Sequence, residues 1–214
     1  MGEREWKMMN TYKTEQEDFW AGEFGDAYID RNNSMQLAEA NLAFFCRILS
    51  RTIGVSSFLE LGANIGMNLK ALRQLIPACQ LTAVEINQIA VEELKKQDQV
   101  EVHHQSILDF EVQDRQWDLT FTKGVLIHLA PEMLPEVYKT LYQCSKKYIL
   151  VAEYYNPSPV EIPYRGHEGK LFKRDFAGEL MEQYPDLQLV DYGFCWHKDP
   201  VFPQDDVTWF LLRK

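Results

Sequence analysis

The chain has 214 residues, 46% of them apolar, which is enough for one large core. Its mean hydropathy is -0.34, and no stretch approaches the roughly 18 to 20 consecutive apolar residues that a transmembrane helix needs. Lys and Arg number 22 against 32 Asp and Glu, and the resulting net charge of -10 disfavours non-specific binding to nucleic acid, in which cations neutralise phosphates. We therefore expect neither a membrane nor a nucleic-acid partner.

The spacing of the cysteines and the sequence of residues 1–7 indicate the cellular compartment. The four cysteines are scattered without a CxxC pair, which argues against a zinc site or a disulfide framework. Residues 1–7 are charged and lack the apolar core of a signal peptide. These features predict a cytoplasmic protein with free thiols and no metal site.

The first third of the chain predicts a cap followed by a helix. Residues 1–34 are polar and rich in aromatic rings, too many for a disordered tail, and we interpret them as a helical cap segment over the domain. Residues 35–53 form a predicted helix with Ser34 as its N-cap and apolar residues, including Ile53, at helical spacing.

Predicted strands and helices then alternate. The strands are 55–61, 81–86, 100–103, 117–122 and 148–153, and the helices between them are 65–76, 88–97 and one that Pro131 opens. Repeated βα units of this length predict an α/β fold with a parallel sheet covered by helices on both faces. After a helix at about 174–183, strands 187–196 and 207–212 predict a C-terminal hairpin, and nothing divides 1–214 into more than one domain.

Residues 154–173 break the alternation, because they are polar, contain Pro and Gly, and have no period. A structureless run of that length in a compact domain is usually functional, so we expect a substrate loop. Its cations and aromatic residues, with Arg174 just beyond, predict binding of a phosphate or carboxylate, although a solvated charged loop is the alternative. The candidate substrate-binding residues are Tyr154, Tyr155, Arg165, His167, Lys173 and Arg174.

The stretch from Phe58 to Gly66 organises the chain. A buried strand breaks at Gly62 and a helical pattern starts directly after it. Glycine adopts backbone angles that are closed to other residues, and the first turn of a helix has free N–H donors, so this turn can hold a ligand. An ordinary turn of an α/β unit, which needs no ligand, is the alternative.

A second candidate ligand-binding residue is the acid at the end of the next predicted strand. Glu85 ends the second strand about 20 residues after the turn, where a carboxylate can accept both ribose hydroxyls of a nucleoside. The dinucleotide pattern GxGxxG would need Gly at Asn64 and Met67, so NAD is disfavoured.

The turn and Glu85 together resemble motif I, in its (E/D)xGxxxG form, and the acidic second motif of the class I S-adenosylmethionine-dependent methyltransferases. Asn64 stands where many members carry Gly, and Asn tolerates left-handed angles better than most residues. The resemblance covers about residues 35–214. It implies a Rossmann-like, doubly wound sheet of seven strands, mostly parallel with a C-terminal antiparallel hairpin strand. It also implies S-adenosylmethionine as cofactor and S-adenosylhomocysteine as product.

A narrower resemblance spans almost the whole chain. Residues 19–32, 60–66 and 122–128 resemble the pseudaminic acid biosynthesis-associated methylases, which are bacterial proteins linked to nonulosonic, sialic-acid-like sugars.

The methyltransferase resemblance implies a role for each matching residue. The turn residues border the methionyl and ribose portions of the cofactor; they are Gly62, Ala63, Asn64 and Gly66. Glu85 holds the ribose and Ile86 covers one face of the adenine. Ser106 and Ile107 lie in the loop at the adenine edge, where many members carry an acid in place of Ser106.

The same resemblance implies two further groups of cofactor-binding residues. Thr122 and Lys123 end the fourth strand beneath the sulfonium. Tyr28 and Arg31 fold over the cofactor, with Arg31 pairing with its carboxylate; for Arg31 a surface ion pair is the alternative.

His128 is the candidate catalytic base. A histidine with an ordinary pKa of about 6.5 can accept a hydroxyl proton. Its sequence neighbours are apolar, so a packed core histidine is the alternative. Glu153, at the end of the fifth strand, is a second candidate, with a salt bridge as its alternative.

These observations predict a methyltransferase that acts on oxygen or nitrogen of a small anionic acceptor. The resemblance indicates a nonulosonic (pseudaminic-acid-type) sugar or its nucleotide-activated form. The alternatives are another small metabolite, or a non-catalytic cofactor-binding partner in a sugar-assembly pathway. Both a monomer and a homodimer are open.

Overall fold

The computed structural model describes residues 12–29, 34–111 and 114–214. Its strands are β1 Ser57–Leu61, β2 Gln80–Glu85, β3 Val100–His104, β4 Trp117–Lys123, β5 Ser145–Glu153, β6 Val160–Glu161, β7 Phe172–Lys173, β8 Gln188–Phe194 and β9 Thr208–Arg213. Its helices are α1 Glu15–Ala21, α2 Glu23–Ile29, α3 Met35–Leu49, α4 Met67–Leu75, α5 Gln88–Leu94, α6 Leu134–Cys144 and α7 Phe176–Gln183. Short 3-10 helices span Leu126–His128 and Pro131–Met133.

Seven strands form one sheet in the order β3-β2-β1-β4-β5-β9-β8. The first five positions are parallel, and β9 runs antiparallel to both of its neighbours. This arrangement confirms the predicted fold class, including the C-terminal hairpin. The strand order reverses between β1 and β4. In open α/β sheets, ligands bind at such a point, beyond the carboxyl ends of the strands.

Two apolar layers hold helices against the sheet. Side chains alternate along β1, so Phe58 packs with α3 and α4 on one face while Leu59 packs with α6 and α7 on the other. The central strands are buried on both faces, which explains their nearly continuous apolar sequence. Glu60 is the exception in β1, since its side chain is buried within this apolar strand.

The helix predicted over 35–53 ends earlier, at Leu49. The side chains of Ser50 and Thr52 donate hydrogen bonds to the carbonyls of Arg47 and Leu49, so they satisfy groups that a continuing helix would use. Ile53 therefore lies outside the helix and is 82% exposed, against the prediction that it belongs to the apolar face.

The prediction of a structureless run over 154–173 is wrong. Strands β6 and β7 pair antiparallel, and Tyr164 and His167 exchange backbone hydrogen bonds around a two-residue turn. Arg165 and Gly166 at its tip both have positive φ, 51° and 87°, as in the turns that match the twist of a hairpin. Strands of two residues carry no readable period, which is why the sequence did not indicate this β6–β7 hairpin.

Helices α1 and α2 form the described part of the predicted cap, with a capping box between Thr14 and Glu17 at the start of α1. None of the helices within the described ranges is long and apolar enough to cross a membrane. Within those ranges, no group of three or more His, Cys, Asp and Glu side chains is placed to hold a metal ion.

Candidate functional site

A cavity of about 840 Å³ lies at the carboxyl ends of β1, β2 and β4. The turn after β1 forms its floor, and the residues of α1 and α2 lie along one side of it. The β6–β7 hairpin contributes Tyr164 and Arg165, and the segment between β8 and β9 contributes Gln204 and Asp205. Elements far apart in the chain thus meet around a single cavity.

The turn after β1 has the left-handed geometry that its sequence predicts. Gly62, Asn64 and Gly66 have φ angles of 76°, 47° and 75°, which confirms that Asn64 takes the left-handed conformation. The N–H groups of Gly62 and Ala63 both donate to the carbonyl of Val84. The turn is therefore fastened to the end of β2.

The two glycines of this turn lie close to neighbouring side chains. A Cβ atom on Gly62 would lie 2.8 Å from a methyl carbon of Val125, and one on Gly66 would lie 2.5 Å from the Gln97 side-chain nitrogen. The branched Val125 side chain resists displacement, whereas the end of the Gln97 side chain can move aside, so contact excludes a side chain mainly at Gly62 and the positive φ disfavours one at both positions. The backbone angle of Gly62 is thus only part of the reason for its identity, because contact with Val125 is another.

Glu85 organises the backbone at the end of β2. Its carboxylate accepts the N–H of Asn64 at 2.7 Å, that of Ile86 at 2.9 Å and that of Asn87 at 2.8 Å. Burial raises the pKa of Glu85, and these three hydrogen bonds oppose that rise. Glu85 also lines the cavity.

Several buried acceptor oxygens around the cavity lack a donor among the described residues. They are Asn64 Oδ1, Asn68 Oδ1, Gln204 Oε1 and, in the ionised form of Glu60, its Oε2. The Asn68 amide nitrogen donates to Glu60 Oε1 at 2.6 Å, and the Gln204 amide nitrogen donates to the Ala40 carbonyl at 2.7 Å, which orients both amides. Unpaired buried acceptors are costly, so this set suits a ligand rich in hydrogen-bond donors.

Glu60 is a buried titratable side chain of this region, and Lys123 is a half-buried one. Burial raises the pKa of Glu60 to about 8, with Asn68 and Lys123 opposing the rise. Burial lowers the pKa of Lys123, whose ammonium lies 3.2 Å from Asn41 Oδ1. Both side chains line the cavity, so a bound charged ligand would change the protonation of this pair.

Glu153 holds the segment after β4 in place. Its two carboxylate oxygens accept the N–H of Val125 at 3.1 and 3.0 Å, and one also accepts that of Ile127 at 3.4 Å. Burial raises its pKa to about 7. Glu153 does not line the cavity, so it supports the turn that carries His128, and it forms no salt bridge with a described residue.

His128 combines features of both interpretations offered by the sequence. Its Nδ1 lies 2.7 Å from the carbonyl oxygen of Lys170, which can only accept, so Nδ1 carries the proton and Nε2 keeps its lone pair. The ring packs against Trp20 and Tyr164, with centroid distances of 4.5 and 4.9 Å. Burial lowers its pKa to about 4. His128 is thus a buried, oriented imidazole that also lines the cavity.

The structure brings most of the sequence-predicted residues to the cavity. Those that line it are Tyr28, Gly62, Ala63, Asn64, Glu85, Ile86, Ser106, Ile107, Lys123, His128, Tyr154 and Arg165. Gly66 and Thr122 do not line the cavity. Gly66 is the N-cap of α4, and Thr122 is a buried residue of β4. Arg31 lies outside the described residues.

Four predicted substrate-binding residues do not line the cavity. Arg174 forms an ion pair with Glu179 at 2.8 Å. The His167 ring packs on Phe19 with 5.0 Å between centroids. Tyr155 is 40% exposed, and the Lys173 ammonium lies 5.3 Å from the ring centre of Tyr154. Competing partners within the protein therefore divide the basic cluster that the sequence suggested.

Sequence reasoning missed several residues of the cavity wall. They are Glu17, Trp20, Glu60, Asn68, Asn87 and Gln204. Two signals were available: Thr14 and Glu17 have the spacing of a capping box, and Glu60 is a charged residue inside an apolar strand. The others depend on contacts between distant segments.

Comparison with known proteins identifies the class of this fold. Residues 58–147 match a family described as a methyltransferase domain. A SAM-dependent methyltransferase from Leishmania major superposes with a TM-score of 0.69 at 17% identity, covering 98% of this chain and 89% of that one. No curated protein sequence matches the chain significantly.

Two further solved structures carry bound ligands. The 1,6-didemethyltoxoflavin-N1-methyltransferase of Burkholderia thailandensis, with 1,6-didemethyltoxoflavin and S-adenosylhomocysteine, has a TM-score of 0.68 at 14% identity and covers 100% of this chain and 91% of that one. Coclaurine N-methyltransferase, bound to N-methylheliamine and S-adenosylhomocysteine, has a TM-score of 0.64 at 14% identity. The superposition covers 81% of this chain and 60% of the coclaurine enzyme.

The fold is that of the class I S-adenosylmethionine-dependent methyltransferases. The methyltransferase domain matched over residues 58–147 confirms the predicted enzyme class, and solved structures of the same fold hold S-adenosylmethionine or S-adenosylhomocysteine. The ligands named for these two enzymes differ from one another and include no nonulosonic sugar, so the acceptor is a separate question.

Proposed function

We propose that this methyltransferase acts on oxygen or nitrogen of a small anionic acceptor, a nonulosonic (pseudaminic-acid-type) sugar or its nucleotide-activated form. We further propose that 1–214 acts as one cytoplasmic domain, in which 1–34 is a cap and 154–173 binds the substrate. The observation that carries the proposal is a single cavity lined by both Glu85 and His128. Such a cavity can accommodate a nucleoside at the end of β2 together with a second molecule beside His128.

The buried acceptor oxygens support S-adenosylmethionine in this cavity. The cofactor offers an ammonium group and two ribose hydroxyls as donors, and these complement Asn68, Glu85 and the ionised form of Glu60, which a nearby ammonium would stabilise. Ile86 and Ile107 line the part of the cavity next to Glu85 and would contact the adenine. When bound, the cofactor would supply an electrophilic methyl group on a cationic sulfur.

The other end of the cavity would hold the acceptor. Nε2 of His128 has a lone pair and no hydrogen-bond partner among the described residues, so it can accept the proton of a hydroxyl or amine nucleophile. Its low pKa makes it a weak base. Orientation of the two reactants therefore carries more of the catalysis than proton transfer does.

Arg165 supports the choice of an anionic acceptor. It lines the cavity, and within the described parts of the chain its guanidinium has no carboxylate partner. The group lies 5.9 Å from the ring centre of Tyr164, beside the ring that contacts His128. Arginine binds a carboxylate or phosphate through two parallel hydrogen bonds, which both charged forms of the proposed sugar provide.

An acceptor panel tests the proposal. The purified protein is incubated with S-adenosylmethionine and with nonulosonic acids, their nucleotide-activated forms, or neutral sugars of similar size. We expect release of S-adenosylhomocysteine and a product heavier by one methylene unit with the anionic sugars alone. Methylation of an unrelated metabolite instead would support the alternative acceptor. Tight cofactor binding with no release on any acceptor would support a non-catalytic partner.

A further inference from the structure

The N-terminal cap places a carboxylate in the cavity wall. Glu17 on α1 is 5% exposed and lines the cavity together with Ser106 and Ile107, which follow β3. The Ser106 hydroxyl donates to Glu17 Oε1, so a side chain from the start of the chain is bound to the loop after β3.

The hydrogen bonds of Glu17 leave one acceptor position open. Glu17 Oε2 accepts the N–H of Thr14 at 2.8 Å and its hydroxyl at 3.2 Å, which completes the capping box. Among the described residues, Glu17 Oε1 accepts only the Ser106 hydroxyl, although a carboxylate oxygen has two lone pairs. Helix capping therefore accounts for the hydrogen bonds of Glu17 Oε2, whereas Glu17 Oε1 can accept one more hydrogen bond.

Ser106 itself has little left to offer a ligand. Its hydroxyl proton goes to Glu17, and its oxygen accepts the N–H of Leu108 at 3.0 Å. Glu17 is consequently the charged acceptor at this point of the wall. A hydrogen-bond acceptor at this position favours ligands that present a hydrogen-bond donor to it.

The position of this acceptor relative to Glu85 indicates which part of a ligand it meets. The N–H of Gln105 donates to the Glu85 carbonyl at 3.0 Å, so the loop that carries Ser106 starts beside the end of β2. A nucleoside whose ribose is held by Glu85 would extend its base past Ile86 and Ile107 towards this loop. Adenine carries an exocyclic amine on its edge, and this amine is a donor.

We propose that Glu17 accepts a hydrogen bond from the exocyclic amine of adenine and makes the nucleoside end of the site selective for adenine. This inference rests on the placement of S-adenosylmethionine in the proposed function. It assigns to the cap a part of the cofactor site, so that ligand and cap stabilise each other.

A pair of ligands that differ at the adenine amine tests the inference. S-adenosylhomocysteine and S-inosylhomocysteine are titrated calorimetrically into the wild type and into Glu17→Gln. Gln keeps the capping box, because Glu and Gln serve equally at that position. We expect the wild type to prefer the adenosyl ligand by about tenfold or more, as loss of a hydrogen bond to a charged group implies. In the variant that preference should shrink or reverse, because an amide can donate to the inosine oxygen.

Lys13→Ala is the matched control. Lys13 fastens the cap to the same loop, through the Leu108 carbonyl and the Asp109 carboxylate, without lining the cavity. It should weaken both ligands equally and leave their ratio unchanged. A wild type that binds both ligands equally overturns the inference without any variant, as does a Glu17→Gln ratio equal to that of the wild type. If the wild type binds neither ligand, the cofactor placement fails and this inference fails with it.

Discussion

The carboxylate of Glu85 accepts the backbone N–H of Asn64 at 2.7 Å. The residue that would hold the ribose therefore also holds the left-handed turn after β1. If the cofactor binds as proposed, its binding and the local backbone structure depend on the same side chain, which distinguishes Glu85 from a residue that contacts only a ligand.

Replacement of Glu85 should affect both affinity and stability. In Glu85→Gln one carboxylate oxygen becomes an NH₂ group. This donor faces a backbone N–H, which is also a donor, and the side chain has one acceptor fewer for the ribose. We expect weaker S-adenosylmethionine binding in calorimetry and a loss of about 1 to 3 kcal/mol in the free energy of unfolding. Glu92→Gln on the exposed side of α5 is the control and should change neither. Unchanged affinity in Glu85→Gln would remove this residue from the cofactor site.

Glu60 should make stability decrease as the pH rises. Its folded-state pKa of about 8 lies above the ordinary value of 4.5, so the folded chain keeps a proton that the unfolded chain releases. Its stabilising contribution is complete below pH 4.5 and is lost as the pH rises through 8. Glu60→Gln removes this titration and keeps an acceptor for Asn68. The melting temperature of the variant minus that of the wild type should be larger at pH 8 than at pH 5, by at least about 2 °C. Parallel melting curves at both pH values would contradict the assignment.

His128→Asn separates the two roles of the imidazole. Asn can still donate to the Lys170 carbonyl but lacks the basic Nε2. We expect kcat to fall by about 10²-fold, the lower end of the range for a general base, because a pKa of about 4 makes His128 a weak one. Cofactor affinity should stay near that of the wild type. Full activity with a lower melting temperature would show that His128 serves the core alone.

The wild-type activity profile offers a second measurement on His128. Its pKa is lowered from 6.5 to about 4, so the imidazole stays neutral at physiological pH and the inflection due to it should lie near pH 4. Its contribution to stability is complete above pH 6.5 and is lost as the pH falls through 4. An inflection near neutrality that disappears in His128→Asn would contradict the low pKa.

Arg165 and Arg174 form a matched pair on the segment from 154 to 174. Arg165 lines the cavity, whereas Arg174 is occupied by Glu179. We expect Arg165→Ala to raise the KM of the acceptor by about tenfold, with a smaller effect at high salt, because its contact with an anion is partly screened. Arg174→Ala should lower stability and leave KM unchanged. Equal KM values for both variants and the wild type would remove the anionic acceptor from the proposal.

Asn87 connects Glu85 to the cap. Its N–H donates to Glu85, and its amide donates to Asp26 at 2.8 Å and to the Trp20 carbonyl at 3.3 Å. Asn87→Asp keeps the N-cap of α5 but places two carboxylates together, so the cap should detach. We expect faster chymotrypsin cleavage within 12–29 and weaker cofactor binding.

Adding Asp26→Asn to Asn87→Asp tests this link by reversal. The second change restores an amide–carboxylate pair with the donor on the opposite side, and it leaves the net charge as in the wild type. Protease resistance and affinity should both recover in large part. If the single variant is as resistant as the wild type, Asn87 does not hold the cap.

Much of the fold follows from local patterns in the sequence. The alternation of strands and helices, the left-handed turn at Asn64 and the position of Glu85 at a strand end all depend on residues within one βα unit. The β6–β7 hairpin is the exception, because strands of two residues carry no period and Arg165 gives no sign of its positive φ.

The sequence by itself determined the class of fold and, through its resemblance to the class I methyltransferases, predicted the activity and the cofactor, since a short stretch of chain carries the glycine turn and the acid that follows it. Only the tertiary structure decided which distant side chains share the cavity. Glu17 meets Ser106 across 89 positions, and His128 meets the Lys170 carbonyl across 42. Such contacts arise from the packing of whole segments against one another. Burial then shifts the pKa of His128, and Glu179 draws Arg174 away from the cavity, through interactions that sequence spacing does not encode.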